Sequence, residues 1–191
     1  MLGWGTVFAD FDADGWDDLF VANGHVEDRT WNGRGEPFEM QPQLFVNSRD
    51  GKFSDESLKS GEYFQHHWLG RGVATADIDH DRRVDLVVSH QKSRPAILLN
   101  QATDQHAISL RLIGTSSNRN GFGARIELQS ADGQKRTIQD AVAGTSFHSS
   151  SERRLFFAPK SGTKLSVVWP SGSSQILEIV ENSEQIVVEG R

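Results

Sequence analysis

Two stretches of this chain align residue for residue without a gap: Thr6-Val7-Phe8-Ala9-Asp10-Phe11-Asp12-Ala13-Asp14-Gly15-Trp16-Asp17-Asp18-Leu19-Phe20-Val21 and Val73-Ala74-Thr75-Ala76-Asp77-Ile78-Asp79-His80-Asp81-Arg82-Arg83-Val84-Asp85-Leu86-Val87-Val88. In both, an apolar strand enters an acidic loop and an apolar strand leaves it. Carboxylates at positions 1, 3, 5 and 9 of such a loop, here Asp10, Asp12, Asp14 and Asp18, can converge on one hard cation when the backbone carbonyl of position 7, Trp16, joins them. Asp77, Asp79, Asp81 and Asp85, with the carbonyl of Arg83, repeat the set. Oxygen-only donors at this charge density suit Ca2+ and would repel one another without a cation.

Other chemistries share part of this pattern. Asx turns would use the aspartates for local hydrogen bonds alone, but they do not explain four carboxylates at one spacing twice. An EF-hand or dockerin loop needs a carboxylate at position 12, where this chain has Val21 and Val88, and needs flanking helices where these flanks read as strands. A metal-dependent (Mg) phosphoryl-transfer enzyme of the haloacid-dehalogenase type would use Asp10 and Asp12 as nucleophile and acid. It predicts a single motif and helices between strands, which a duplicated motif in an all-β chain does not match. His66, His67 and His80 could assist a metal, but histidines beside aromatic residues such as Phe64 and Trp68 read as packing or hydrogen-bonding residues. The Ser146 to Ser151 segment has no nucleophile elbow and reads as a polar loop, and the glycine-rich Asn118 to Gly123 lacks the lysine and helix of a phosphate loop. The chain is therefore expected not to be an enzyme.

With 191 residues, of which 36 % are hydrophobic, the chain can bury an ordinary core. The net charge of −6 and scattered basic residues exclude a nucleic-acid partner. The absence of cysteine removes disulfides, thiolate nucleophiles and zinc-thiolate sites. No apolar run reaches the roughly 20 residues of a membrane span, and the first residues do not form a signal peptide.

Short apolar runs between Asp, Asn, Gly and Ser clusters, with no sustained 3.6-residue period, predict an all-β fold without helices. Further strands are expected at Gln43 to Asn47, ahead of the hairpin turn Arg49-Asp50-Gly51-Lys52, and at Ala96 to Asn100. Each repeat thus has about four strands' worth of sequence, the size of a propeller blade. The polar Gln101 to Gln105 reads as a linker, placing the boundary between residues 1–103 and 104–191. Beyond it seven short strands are expected: Ile108 to Ile113, Ala124 to Gln129, Arg136 to Val142, Arg154 to Ala158, Lys164 to Trp169, Gln175 to Val180 and Gln185 to Val188. Their alternation, with Leu165, Val167 and Trp169 inward, suits a β-sandwich or small barrel.

At these residues the chain resembles a known arrangement, FG-GAP/VCBS repeats followed by an ASPIC/UnbV domain, as in the cartilage acidic protein family and its bacterial relatives. The first half resembles it through both Asp-x-Asp-x-Asp loops, Phe20 to Val26, Leu44-Phe45-Val46-Asn47 with the following Asp50-Gly51-Lys52-Phe53, and Gly70 to Ala74. The second half does so through Gly114 to Arg125 and Val168-Trp169-Pro170-Ser171-Gly172. The resemblance implies a secreted or cell-surface protein whose calcium-loaded, propeller-type repeats serve adhesion or the binding of a protein or carbohydrate ligand. Position 6 of the second loop is Arg82 where the pattern has glycine, so that loop is expected to bind calcium more weakly. A propeller closes with at least four blades. Two repeats therefore imply further blades from a longer chain, or self-association through uncovered sheet edges.

Overall fold

Each acidic loop is the connection of an antiparallel hairpin, and the two hairpins share one register. In this computed structural model, which describes residues 1–28, 37–103, 108–133, 136–159, 161–180 and 182–190, β1 (Gly3–Ala9) pairs with β2 (Asp18–Asn23), and the last pair before the loop is Ala9 with Asp18. β5 (Gly70–Ala76) pairs with β6 (Asp85–His90), closing on Ala76 with Asp85. The first hairpin continues as a meander through β3 (Gln43–Asn47) and β4 (Phe53–Asp55), giving the order β1-β2-β3-β4. Two short 3₁₀ turns, Ser57–Lys59 and Glu62–Gln65, lead to β5.

The second sheet has three strands among the described residues, β5-β6-β7, with β7 at Ala96–Leu98, rather than the four expected from its length of sequence. Beyond β7 the chain is held at Asn100. Its backbone N–H and side-chain amide are committed to Asp85 and to the carbonyls of Phe11 and Val84, and its Oδ1 accepts the N–H of Ala102. Asn47 is held by an equivalent set of bonds at the end of β3. Residues 104 and 105 of the expected linker lie outside the described residues.

The two sheets meet over one apolar cluster, Val7, Phe20, Ala22, Phe64, Val73, Leu86 and Val88, each removed from water. Fully burying its Val, Leu and Phe side chains contributes about 1.5–3 kcal/mol apiece. Gly5 permits the approach of β1 to β5: a Cβ there would stand 2.3 Å from the Arg71 carbonyl oxygen and 2.7 Å from Val73 Cγ2.

The second half is a two-sheet β-sandwich and not a barrel. β8 (Ile108–Ile113), β9 (Arg125–Gln129), β10 (Arg136–Asp140), β11 (Arg154–Phe157), β12 (Lys164–Val168), β13 (Ser174–Leu177) and β14 (Glu184–Val188) form the sheets β10-β9-β12-β13 and β11-β8-β14. Between them lies a second core, in which Ile108, Leu110, Ile126, Leu165, Val167 and Trp169 are nearly or wholly buried. Leu165, Val167 and Trp169 point inward, as strand alternation requires. β14 pairs in parallel with β8, the consecutive strands β9-β10 and β12-β13 form antiparallel hairpins, and the antiparallel pairs β11-β8 and β12-β9 join strands distant in sequence.

The halves are joined by the serine-rich segment. Thr6 N–H donates to Ser146 Oγ, Thr75 N–H to Ser151 Oγ and Glu152 N–H to the Thr75 carbonyl. Gly72 makes room for this seam, since a Cβ there would lie 2.4 Å from Ser149 Oγ and 2.8 Å from the Phe147 carbonyl oxygen.

Candidate metal centre

The hairpin register places position 9 of each loop at the start of a strand, where its carboxylate can reach back across the turn. Asp18 Oδ2 accepts the N–H of Phe11 at 3.0 Å and its Oδ1 that of Asn47 at 2.9 Å. Asp85 does the same with Ile78 and Asn100, both at 2.8 Å. Position 1 braces the turn: Asp10 accepts the N–H groups of Asp14 and Gly15, and Asp77 that of Asp81. Backbone conformation repeats as well. Positions 4 and 6 are left-handed in both loops, with φ of 57° and 84° at Ala13 and Gly15 and 63° and 67° at His80 and Arg82. Only Gly15 adopts this conformation without steric cost.

This geometry brings carboxylate oxygens of Asp10, Asp12 and Asp18 within 4.8 Å of one another, and likewise those of Asp77, Asp79 and Asp85. They are the two such groups among the described residues, and His66, His67 and His80 join neither. Position 5 turns elsewhere. Asp14 meets the Arg49 guanidinium at 2.5 Å and accepts the Trp16 N–H, while Asp81 is paired with the Arg83 side chain and accepts its N–H. Arg83 is further held by the carbonyls of Asn100 and Ala102.

Electrostatics expose the strain of gathering acids. Burial, with the Asp14 and Asp12 charges adding to it and the N–H groups of Gly15 and Asp14 opposing it, pushes the Asp10 carboxyl up to about 7. Burial likewise pushes Asp18 up to about 6 and raises Asp12 and Asp85, in each case with neighbouring loop carboxylates contributing. Carboxylates that are costly to ionise together, all oxygen donors and partly out of water, form a donor set that fits a hard divalent cation.

Sequence reasoning missed the asparagines. Asn47 and Asn100 each end the apolar run of a third strand and fix the position-9 aspartate, and aligning the repeats as far as those runs would have found them. It also missed Arg49 and Arg154, which reach the loops from distant segments and leave no local signal.

Outside the loops, the two motifs of the second half converge on one buried side chain, Glu189. Its Oε2 accepts the N–H groups of Thr115, Ser116 and Ser117 at 2.7–2.8 Å, and Oε1 accepts the hydroxyls of Ser117 and Ser171. Burial works to raise this carboxyl. The donors, led by the Ser117 N–H, the Ser171 hydroxyl and the Thr115 N–H, outweigh it and hold Glu189 at about 2.

Comparison with family models gives an FG-GAP-like repeat over residues 10–88, which contains both acidic loops, and an ASPIC and UnbV match over residues 114–190, which contains the Glu189 cradle. The chain thus carries the arrangement of an FG-GAP-like repeat followed by an ASPIC and UnbV domain. No curated protein matched it. FG-GAP-like hairpins here supply every residue of the two carboxylate groups, and the ASPIC and UnbV sandwich docks against the same end of the sheets through Glu152 and Arg154. No helix among the described residues is long and apolar enough to cross a membrane.

Proposed function

We propose that the chain is a non-catalytic, calcium-dependent binding protein of the cell exterior, in which Ca2+ rigidifies the two acidic loops and the assembled surface engages a protein or carbohydrate ligand. The observation that carries this reading is the convergence of three carboxylates within 4.8 Å in each of two loops of equal spacing and backbone conformation. Asp10, Asp12 and Asp18 would hold one ion, with Asp14 and the Trp16 carbonyl completing it. Asp77, Asp79 and Asp85 would hold the other, with Asp81 and the Arg83 carbonyl. The ion's contribution is charge neutralisation and cross-bracing of the loop. The chain's own residues do the rest: position 9 ties the loop to its third strand, and position 1 shapes the turn.

Against a phosphoryl-transfer enzyme stands the environment of Asp10. Both its oxygens accept backbone N–H groups, and no lysine lines the cleft beside it among the described residues. The division into repeats, 1–103, and sandwich, 104–191, is part of the same proposal and is supported by two separate apolar cores. Exterior location is supported by the family alone.

Calorimetric titration of Ca2+ into the parent chain and into Asp12→Asn tests the reading. Binding is expected at about 10⁻⁴–10⁻³ M, the range of extracellular modules, with the tighter event lost in Asp12→Asn. Absence of any heat and of any rise in melting temperature at millimolar calcium would refute it.

A further inference from the structure

The two loops differ in what already touches them. Asp77, position 1 of the second loop, is 3 % exposed and lies against Arg154 of β11: the guanidinium donates to the Asp77 carbonyl at 3.2 Å and approaches Asp77 Oδ2 at 3.4 Å. The Asp77 N–H donates to Glu152 Oε2 at 2.8 Å, so the sandwich holds this residue by backbone and side chain together. Arg154 is itself only 15 % exposed and is paired with Glu152, with Glu184 3.9 Å away. Asp10, the equivalent residue of the first loop, takes backbone N–H groups and, among the described residues, no guanidinium.

Building on the calcium reading above, we propose that Arg154 is a built-in counter-cation of the second loop, which competes with calcium for the Asp77 carboxylate and so couples that loop to the docking of the sandwich. A divalent ion among Asp77, Asp79 and Asp85 would share the buried Asp77 carboxylate with a guanidinium that is itself mostly out of water, where like charges repel more strongly than in solvent. Arg154 has Glu152 and Glu184 to fall back on, so it can release Asp77 without being left unpaired. Binding and docking then oppose each other, and by linkage each weakens the other by the same factor. In the first loop the guanidinium, that of Arg49, is exposed and meets Asp14 rather than the position-1 carboxylate, so it competes less and that loop fills first. Calcium concentration then sets two states of one molecule: first loop filled with the seam closed, and both loops filled with the Arg154 contact released.

The test uses the full chain with Asp12→Asn to silence the first loop, with and without Arg154→Gln, titrated calorimetrically with calcium chloride. Arg154→Gln is expected to tighten the remaining site by about tenfold, and Arg154→Lys, which keeps the charge, to leave it within about twofold. Unchanged or weaker binding in Arg154→Gln overturns the proposal. So does a second loop that binds calcium in neither background. In that case the parent chain shows whether the calcium reading falls too: if its first loop still binds, only the competition is refuted. A second measurement needs no variant. Phenylglyoxal modification of Arg154 in the parent protein, followed by peptide mass spectrometry, should run faster in saturating calcium, and an unchanged or slower rate overturns the proposal even if Arg154→Gln does not fold.

Discussion

Arg82 holds a left-handed backbone at φ 67° where the first loop has Gly15, and its side chain donates to the Asn182 carbonyl of the sandwich. The conformation costs a residue with a Cβ about 1–2 kcal/mol. In an Asp12→Asn background, Arg82→Gly should therefore change stability by no more than about 1 kcal/mol, glycine's unfolded-state entropy and the lost Asn182 bond offsetting the relief. Its calcium affinity should rise several-fold because a positive charge leaves the loop. Titration alongside thermal melts checks both halves of this expectation, and an unaltered affinity would contradict the electrostatic part. At Glu189 the effect is one of pH. Its carboxyl is lowered from 4.5 to about 2 on folding, so its contribution is fully present above about pH 4.5 and is lost as pH falls through about 2. Glu189→Gln should be less stable than the parent at pH 7 and should show a flatter loss of stability across that acid window in urea titrations.

Among elements, the strands were readable and their pairing only partly so. The aspartate ladder is visible in sequence because positions 1, 3, 5 and 9 are local and both flanking runs alternate by burial, as in β2 and β6. The strands of the sandwich are readable for the same reason, Ile108–Ile113 to the residue. The parallel partnership of β14 with β8 is not readable, since nothing in either strand names a partner so far along the chain. Arg154 and Arg49 escape for the same cause. The serine-rich Ser146 to Ser151 reads as an unremarkable polar loop, yet it is the seam between the halves. Gly72→Ala tests that seam: its Cβ would meet Ser149 and backbone, and a loss of about 1–3 kcal/mol is expected by chemical denaturation. A neutral result would mean that the seam yields freely.

For the whole molecule, separate cores suggest that limited proteolysis near the 101–105 segment should leave a folded piece from about residue 106 onward. Degradation as one cooperative unit would instead show that the seam dominates. Self-association is expected through apolar surface left exposed among the described residues: Phe8 of β1 is 59 % exposed, and Ile97 of the edge strand β7 and Phe53 of β4 are also exposed. Sedimentation should show mass rising with concentration, and a strict monomer would refute the open-edge argument. The parallel strand β14 has a further consequence, for synthesis. The hairpins of the repeats close locally and can form as they leave the ribosome, whereas Ser109 of β8 must wait for Glu184 before its sheet has a third strand. During that interval Leu110 and Leu112 lack the cover of Val187, and the Glu189 cradle is empty. The nascent chain thus carries finished hairpins ahead of an unfinished sandwich, so the segment that ends the fold also ends its exposure to misassembly.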